Sequence, residues 1–269
     1  MEAFGAESLA ILALAAFVAG LIDAIAGGGG LITVPALALV GFDPASAVAT
    51  NKVNASFGTF SATRSFARAG HINLGTMWPM ALASGLGAVA GALTLAYAPK
   101  EWAALALPFI LIAVAAYFAL SPTMSDADAH QRLGKAAFAG TVIPAIGFYD
   151  GVFGPGAGSF FMFGFIGLLG YGLVKATAHT KLVNFASNLA SLVTYAFGGL
   201  IVWKIGLLMG VSQFAGSSLG ARLALRSGAR LIRPLLIVIA AAMAIKLASA
   251  PGHPLGAFVK SLAAGSFGP

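Results

Sequence analysis

The chain has 269 residues, of which 59% are hydrophobic and only 9% are charged, whereas an ordinary soluble domain carries roughly 25% charged residues. This composition excludes an ordinary soluble domain and predicts an integral membrane protein. The net charge of +7 is explained by the lysine and arginine that membrane proteins keep in cytoplasmic loops rather than by nucleic-acid binding, and the absence of cysteine excludes disulfides and thiolate metal sites.

The first apolar segment, residues 8–26, is predicted to be a mature membrane helix rather than a cleaved leader. The residues before it include two acids and no lysine or arginine, whereas a signal peptide begins with a basic segment. A run of four glycines follows at 27–30. The apolar return segment, 31–40, is too short to cross a bilayer, because ten helical residues reach only about 15 Å. The glycine run is therefore predicted to lie inside the membrane.

Six further apolar stretches approach the roughly 20 residues that a membrane helix needs. Their approximate bounds are 46–69, 75–96, 102–121, 174–197, 204–225 and 231–250. A polar stretch at 122–136 divides them into two sets of three. This division predicts a first repeat at 1–121, a cytoplasmic linker at 122–136 and a second repeat at 137–269.

An internal repeat relates the two sets of segments. Residues 20–29 follow the pattern G-x-x-D-x-x-x-G-x-G, and residues 147–156 follow it again. The second set therefore also opens with an apolar segment broken by glycines. Broken hydrophobic segments at matching places in two halves are the best sequence indication of a transporter's binding site.

The number of crossings fixes the symmetry of the predicted fold. A hairpin that enters and returns, followed by three spans, leaves the chain on the side opposite to where it began. The predicted fold class is therefore an all-α integral membrane protein with two inverted-topology repeats, each a glycine-broken helical hairpin followed by three transmembrane helices. The cationic residues favour the linker inside and both termini outside. Nine lie at or near one face, Arg64, Arg68, Arg132, Lys135, Lys175, Arg222, Arg226, Arg230 and Arg233, against four at the other, Lys100, Lys204, Lys246 and Lys260.

Asp23 and Asp150 hold the same place in the repeated pattern and are the two carboxylates predicted at membrane depth. One interpretation is structural, in which each accepts hydrogen bonds from amides freed by the glycine break. The other is functional, because an intramembrane ionisable residue costs roughly 2.5–3.5 kcal/mol on insertion scales and is a candidate to carry a proton or to pair with a cation. We assign both as candidate proton-coupling residues.

Lys52 and Lys181 also recur in register and are predicted to approach the midplane from opposite faces, each at a depth of roughly 12–14 Å. The structural interpretation pairs Lys52 with Asp23 and Lys181 with Asp150, with no ligand. The alternative is an anion site made of both lysines, neighbouring polar side chains and the backbone amides at the glycine breaks. The further candidates for this site are Asn51, Asn54, His179, Thr180, Asn184, Asn188, Gly28, Gly29 and Gly156.

The glycines of two later helices have a different predicted role. Gly87 and Gly91 are four residues apart on one helix face, and Gly216 and Gly220 repeat this spacing. Small residues at this spacing let membrane helices approach each other closely. These four glycines are therefore predicted to serve helix packing and not binding.

The chain resembles the sulfite exporter TauE/SafE family of bacterial membrane proteins in its duplicated motifs. These are GLIDAIAGGGGLITVPAL and GFYDGVFGPGAGSFF, each followed by an A-x-x-x-K helix. The resemblance covers nearly the whole chain, from about residue 9 to 250. It implies a multi-pass protein of the bacterial inner membrane that moves sulfur-containing anions such as sulfite, thiosulfate or organosulfonates, mostly outward.

The predicted function is a secondary transporter that exports a small sulfur-containing anion, with coupling to protons. Its predicted partners are the anion and the lipid bilayer, without nucleic acid, and no cofactor, metal ligand, catalytic residue or oligomeric state is assigned. One alternative is a carrier or passive channel for another small anion, such as a carboxylate. Another is an intramembrane hydrolase that uses Ser159 and His179, although the sequence contains neither a G-x-S-x-G elbow nor a third orienting group.

Overall fold

The computed structural model describes residues 5–99 and 127–227, and all regular structure in these ranges is helical. A helical turn, Lys135–Ala137, and a π-helical turn, Phe138–Val142, lead directly into the fifth helix. The predicted spans at 102–121 and 231–250 lie outside the described residues, as do Lys100, Arg230, Arg233, Lys246 and Lys260. The principal helices are α1 (Ala6–Ala26), α2 (Gly30–Leu39), α3 (Pro44–Arg68), α4 (Leu74–Tyr97), α5 (Ile143–Val152), α6 (Ala157–Gly167), α7 (Leu173–Phe197) and α8 (Trp203–Ser227).

Local sequence signals fix where the first helices end and begin. Helix α1 ends at Gly27, which has a φ of 84° and donates its amide to the carbonyl of Asp23 at 2.8 Å. Glycine suits this left-handed position because it has no Cβ. Helix α3 begins after Asp43, whose carboxylate accepts the amide of Ser46 at 3.1 Å, and Pro44 occupies the first helical turn.

Each repeat opens with the broken hairpin that the glycine runs predict. The break between α1 and α2 covers residues 27–29, and the break between α5 and α6 covers residues 153–156. Gly154 and Gly156 take φ values of 91° and 81°, which favour glycine. The return helices α2 and α6 have 10 and 11 residues, so each reaches only about half of a hydrocarbon core of about 30 Å.

The helices of the two repeats interleave. When each helix is placed beside the helices that it contacts most, the order is α1, α8, α3, α7, α4 and α5. When the two repeated parts of the sequence are aligned, α1 corresponds to α5, α3 to α7, and α4 to α8. The order therefore reads the same from either end when each helix is exchanged for its counterpart, and α3 meets α7 at the centre.

The four glycines predicted to serve packing lie where helices of opposite repeats touch. A Cβ on Gly87 or Gly91 of α4 would overlap the backbone of α5, and one on Gly216 or Gly220 of α8 would overlap the backbone of α1. The closest backbone atom to Gly91 is the carbonyl oxygen of Phe148. The packing role of these glycines is confirmed.

We expect Gly91→Ala to lower the thermal unfolding midpoint in detergent, because its methyl group overlaps the Phe148 carbonyl and forces α4 away from α5. Overpacking of this kind costs about 1–3 kcal/mol. Gly85→Ala is the matched control on the same helix, since the nearest atom to its Cβ would be the Ala190 Cβ at 3.6 Å. Equal midpoints for the two variants, measured by fluorescence, would contradict the close packing of α4 on α5.

Several polar and charged residues are buried beside the apolar core, while many large apolar residues face outward. Lys52 and Lys181 are fully buried, whereas Leu14 is 65% exposed and Val211 is 66% exposed. Among the described helices, α1 and α4 are long and apolar enough to cross a membrane. Helices α3, α7 and α8 are equally long but bury polar residues. Ionisable residues that face the interior of a helix bundle are typical of membrane proteins.

The described end of the linker is hydrogen-bonded to the loop between α6 and α7. Asp128 accepts the Lys175 ammonium at 2.6 Å and the Gly172 amide at 2.7 Å. The Lys175 hydrogen bond first, and then that of Gly172, hold the pKa of the Asp128 carboxyl below its usual range. Because the pKa is depressed in the folded state, this contact is present at neutral pH and is lost only as the pH falls through that lowered pKa.

Candidate functional site

The first glycine break lies in direct backbone contact with the first turn of α6. A Cβ on Gly27 would lie 2.6 Å from the carbonyl carbon of Gly158, and a Cβ on Gly158 would lie 2.8 Å from the carbonyl oxygen of Gly27. Beside them, a Cβ on Gly30 would lie 3.2 Å from the Cα of Pro155. A side chain at Gly27 or Gly158 would push the hairpins apart, so glycine is required where the two repeats touch.

Each buried lysine pairs with the aspartate of the opposite repeat. The Lys52 Nζ lies 2.7 Å from the Asp150 Oδ1, and the Lys181 Nζ lies 3.3 Å from the Asp23 Oδ2. Each lysine also donates to the main-chain carbonyl of the same aspartate. The sequence-based pairing of Lys52 with Asp23 and Lys181 with Asp150 is therefore wrong. Because α3 and α7 pack directly on each other, the lysine on each helix extends to the hairpin of the other repeat.

A cavity of about 20 Å³ lies beside these ion pairs, with room for roughly one water molecule. Of the residues predicted for the site, those that line it are Asp23, Asn51, Asp150, Gly156, Asn184 and Asn188.

Lys52, Lys181, Gly28 and Gly29 lie outside this lining, whereas Gly27 and Gly30 of the same glycine run belong to it. Lys52 and Lys181 direct their ammonium groups at the aspartates and do not line the cavity. The Gly29 amide donates to the Asp23 Oδ1 at 3.2 Å, while the Gly28 carbonyl accepts the amide that starts the next turn. Lys181 and the Gly29 amide therefore hold Asp23, and Lys52 holds Asp150.

Three predicted residues lie apart from the cavity lining. The Asn54 side chain donates to the Gln213 Oε1 at 2.7 Å. Thr180 is buried, and its hydroxyl has no hydrogen-bond partner among the described residues. The His179 ring bonds to the carbonyl of its own helix and packs edge-on against Tyr171, with ring centroids 5.2 Å apart. His179 belongs to an aromatic contact near the start of α7.

Gln213 and Thr59 line the cavity although the sequence analysis did not select them. Gln213 is 1% exposed and fills space left by glycine, since a Cβ on Gly58 would lie 2.7 Å from its Cγ. An uncharged amide in the middle of an apolar span was the available signal. Thr59 takes the place in α3 that Asn188 takes in α7, so the repeat itself indicated this residue.

The hydrolase alternative has no support in the positions of its two residues. The Ser159 hydroxyl donates to the Ala26 carbonyl at 2.6 Å, and the His179 Nδ1 contacts the Lys175 carbonyl at 2.8 Å. A nucleophile has to be hydrogen-bonded to its base, and among the described contacts no bond joins these two side chains. No group of three or more potential metal ligands occurs in the described ranges either.

Comparisons with known proteins agree with the sequence motifs. The family model described as sulfite exporter TauE/SafE matches residues 12–247. A Sinorhizobium sp protein, "Probable membrane transporter protein ORF9", is 51% identical over 255 residues, which cover 95% of this chain and 98% of that relative. No solved structure matches the chain.

Two further relatives carry the same kind of description. "Probable membrane transporter protein" of Haemophilus influenzae is 42% identical over 243 residues, which cover 90% of this chain and 95% of the relative. "Probable membrane transporter protein YfcA" of Escherichia coli K12 is 41% identical over 239 residues, which cover 89% of each chain. These similarities extend over nearly the full length of both partners, so they include both hairpins.

Proposed function

The chain belongs to the sulfite exporter TauE/SafE family, and we propose that it is a secondary transporter that carries a small sulfur-containing anion, mainly outward, across the bacterial inner membrane. The observation that carries the proposal is the buried centre, where two lysine–aspartate pairs cross between two broken hairpins. Discontinuous helices at the interface of two repeats are where secondary transporters bind substrate and coupling ions.

The proposed architecture is an inverted repeat, with residues 1–121 and 137–269 on either side of a cytoplasmic linker at 122–136 and both termini outside. The interleaved contact order supports it, since each helix and its counterpart make equivalent contacts. Two halves of this kind can rock against each other around a central site, which exposes the site to each side of the membrane in turn.

The cavity lining supports an oxyanion as the substrate. Asn51, Asn184, Asn188 and Gln213 place carboxamide groups around the cavity, and each amide nitrogen offers two hydrogen-bond donors. The lysines behind them supply positive charge once an aspartate releases them. Sulfite, thiosulfate and organosulfonates present several acceptor oxygens to such donors.

A carrier for small carboxylates is the second candidate, because a carboxylate accepts hydrogen bonds from the same amides. A passive channel is less well supported. The cavity holds roughly one water molecule, and the backbone contact between Gly27 and Gly158 lies directly beside it. A cavity of this size has to widen for each passage of an anion, as the alternating site of a carrier does.

The proposal is tested by uptake of ³⁵S-labelled sulfite into proteoliposomes that contain the purified chain. We expect saturable uptake that excess unlabelled sulfite, thiosulfate or an alkanesulfonate suppresses and that acetate suppresses much less. Protein-free liposomes are the control. Stronger competition by acetate would favour the carboxylate carrier, and uptake no greater than in the control would contradict the proposed substrate class.

A further inference from the structure

The pair formed by Lys52 and Asp150 is fully hydrogen-bonded. The Asp150 carboxylate accepts the Lys52 ammonium at 2.7 Å, the Asn184 amide at 3.1 Å and the Ser187 hydroxyl. Lys52 in turn donates to both the carboxylate and the carbonyl of Asp150 and to the Asn188 Oδ1 at 3.3 Å. An ammonium has three donors, so this cation has a partner for each of them.

The pair formed by Lys181 and Asp23 has fewer hydrogen bonds. The Asp23 carboxylate accepts the Gly29 amide at 3.2 Å and the Lys181 ammonium at 3.3 Å. Lys181 donates to the carboxylate and the carbonyl of Asp23, and among the described contacts its third donor has no acceptor. The Asp23 side chain is 8% exposed, against 2% for Asp150.

The sequence explains why the two pairs differ. In the register that aligns Lys52 with Lys181, Asn184 corresponds to Ala55 and Ser187 corresponds to Gly58. Alanine and glycine carry no side-chain donor, so the first half of the chain cannot supply to Asp23 the two hydrogen bonds that Asp150 receives. The absence of these two hydrogen bonds is therefore encoded in the sequences of α3 and α7, while the Gly29 amide of the first hairpin supplies one of the hydrogen bonds that Asp23 has.

In the described part of the chain, Lys181 is the one charged side chain in contact with Asp23. Helices α2 and α6 contain no ionisable residue. Helix α3 contributes Lys52, which pairs with Asp150 of α5. Helix α8 contributes the neutral Gln213 at the cavity, and its charged residues Lys204, Arg222 and Arg226 stand near its two ends.

The net charge of the buried centre links the uptake of a proton to the binding of an anion. With both aspartates ionised, two lysines and two aspartates make the centre neutral, and an added anion would be a buried charge without compensation, which is strongly unfavourable. One proton on one aspartate gives the centre a charge of +1. That charge matches one singly charged anion.

Building on the proposed transport function, we propose that Asp23 is the single proton-exchanging carboxylate and that its protonation releases Lys181 to hold one singly charged oxyanion, so that anion and proton cross together, outward wherever the outward anion gradient exceeds the inward proton gradient. The proton passes from water on the open side to an Asp23 carboxylate oxygen. It returns to water on the other side when the anion leaves and Lys181 pairs with Asp23 again. The pair of Asp150 and Lys52 stays intact throughout.

The test measures the ratio of protons to anions in proteoliposomes with entrapped pyranine and labelled sulfite, at a pH where bisulfite and sulfite are both present. Wild-type protein should respond to an inward proton gradient with coupled uptake of both. Asp23→Asn should lose gradient-driven accumulation at least ten-fold while one-for-one exchange of anion persists, because the centre then keeps its charge of +1. The Lys52→Met/Asp150→Asn double variant removes the other pair without leaving a charge and should keep the wild-type ratio even if its total flux falls.

The outcomes separate this inference from the transport function. The inference is overturned if Asp23→Asn keeps the wild-type response to the proton gradient. It is also overturned if the double variant loses that response. Wild-type anion flux without proton movement overturns the inference alone. Absence of flux for every anion in the wild-type protein overturns the transport function, and the inference with it.

Discussion

Lys52→Met is expected to destabilise the folded protein by roughly 3–5 kcal/mol, because it leaves a buried carboxylate without its cation. Asp150 is 1% exposed, and its ion pair with Lys52 measures 2.7 Å. Native proteins are stable by only about 5–15 kcal/mol. Most of the variant should therefore be lost from the monodisperse peak in size-exclusion chromatography, and the remainder should unfold at a much lower temperature.

Two further variants show whether the burial of the charge is the cause. Adding Asp150→Asn to Lys52→Met removes the uncompensated carboxylate and should recover a large part of the folded protein. Lys175→Met breaks the pair with Asp128, in which the side chains are 42% and 54% exposed, and exposed pairs contribute only about 0–1 kcal/mol. The account is contradicted if Lys52→Met behaves like Lys175→Met.

Lys181→Met is expected to reduce anion flux by at least about 100-fold, because the anion loses the one cation that can be released to it. Its effect on folding should be smaller than that of Lys52→Met, since the Asp23 side chain is 8% exposed, against 2% for Asp150, and an unpaired carboxylate costs less where it is better solvated. Lys181→Arg should restore little flux, because a planar guanidinium differs from an ammonium in shape and hydration.

The measurement is sulfite flux normalised to reconstituted protein, with size-exclusion profiles recorded for each variant. Lys204→Met is the matched control, since Lys204 lies at the exposed start of α8. It should transport at close to the wild-type rate. Lys181→Met flux within a few-fold of wild type would show that this lysine does not hold the anion, whereas loss of folded protein would place its role in stability.

The helices and their breaks could be predicted because they depend on local sequence. The helix expected at 174–197 is observed at Leu173–Phe197, and the helix expected at 75–96 is observed at Leu74–Tyr97. Apolar length fixes such helices, and Gly27 and Gly154 end their hairpin arms through positive φ values. Both features act over a few residues, so no tertiary contact is needed to recognise them.

The partners of the lysines could not be predicted in the same way. Both possible pairings place a lysine and an aspartate near the midplane, so depth along the membrane does not distinguish them. The choice is made by the packing of α3 on α7, which carries each lysine to the opposite hairpin. Helix–helix contacts of this kind join residues far apart in the chain, and the sequence of one repeat contains no signal for them.

Gln213 shows a further limit of the sequence analysis. It lines the cavity and accepts a hydrogen bond from the Asn54 amide, yet it carries no charge and lies outside the repeated motif. Its counterpart in α4 is Ser84, which instead donates to the Val183 carbonyl at 2.8 Å. Corresponding positions in the two halves of the chain thus carry different side chains with different hydrogen-bond partners.

Counterflow tests most directly the claim that the buried centre carries one anion at a time. Proteoliposomes loaded with a high concentration of unlabelled sulfite are diluted into a trace of ³⁵S-labelled sulfite, with no proton gradient. A carrier with one alternating site should accumulate label transiently above its external concentration, and Lys181→Met should abolish this overshoot. A monotonic approach to equal concentrations in the wild-type protein would contradict the account and indicate a passive channel.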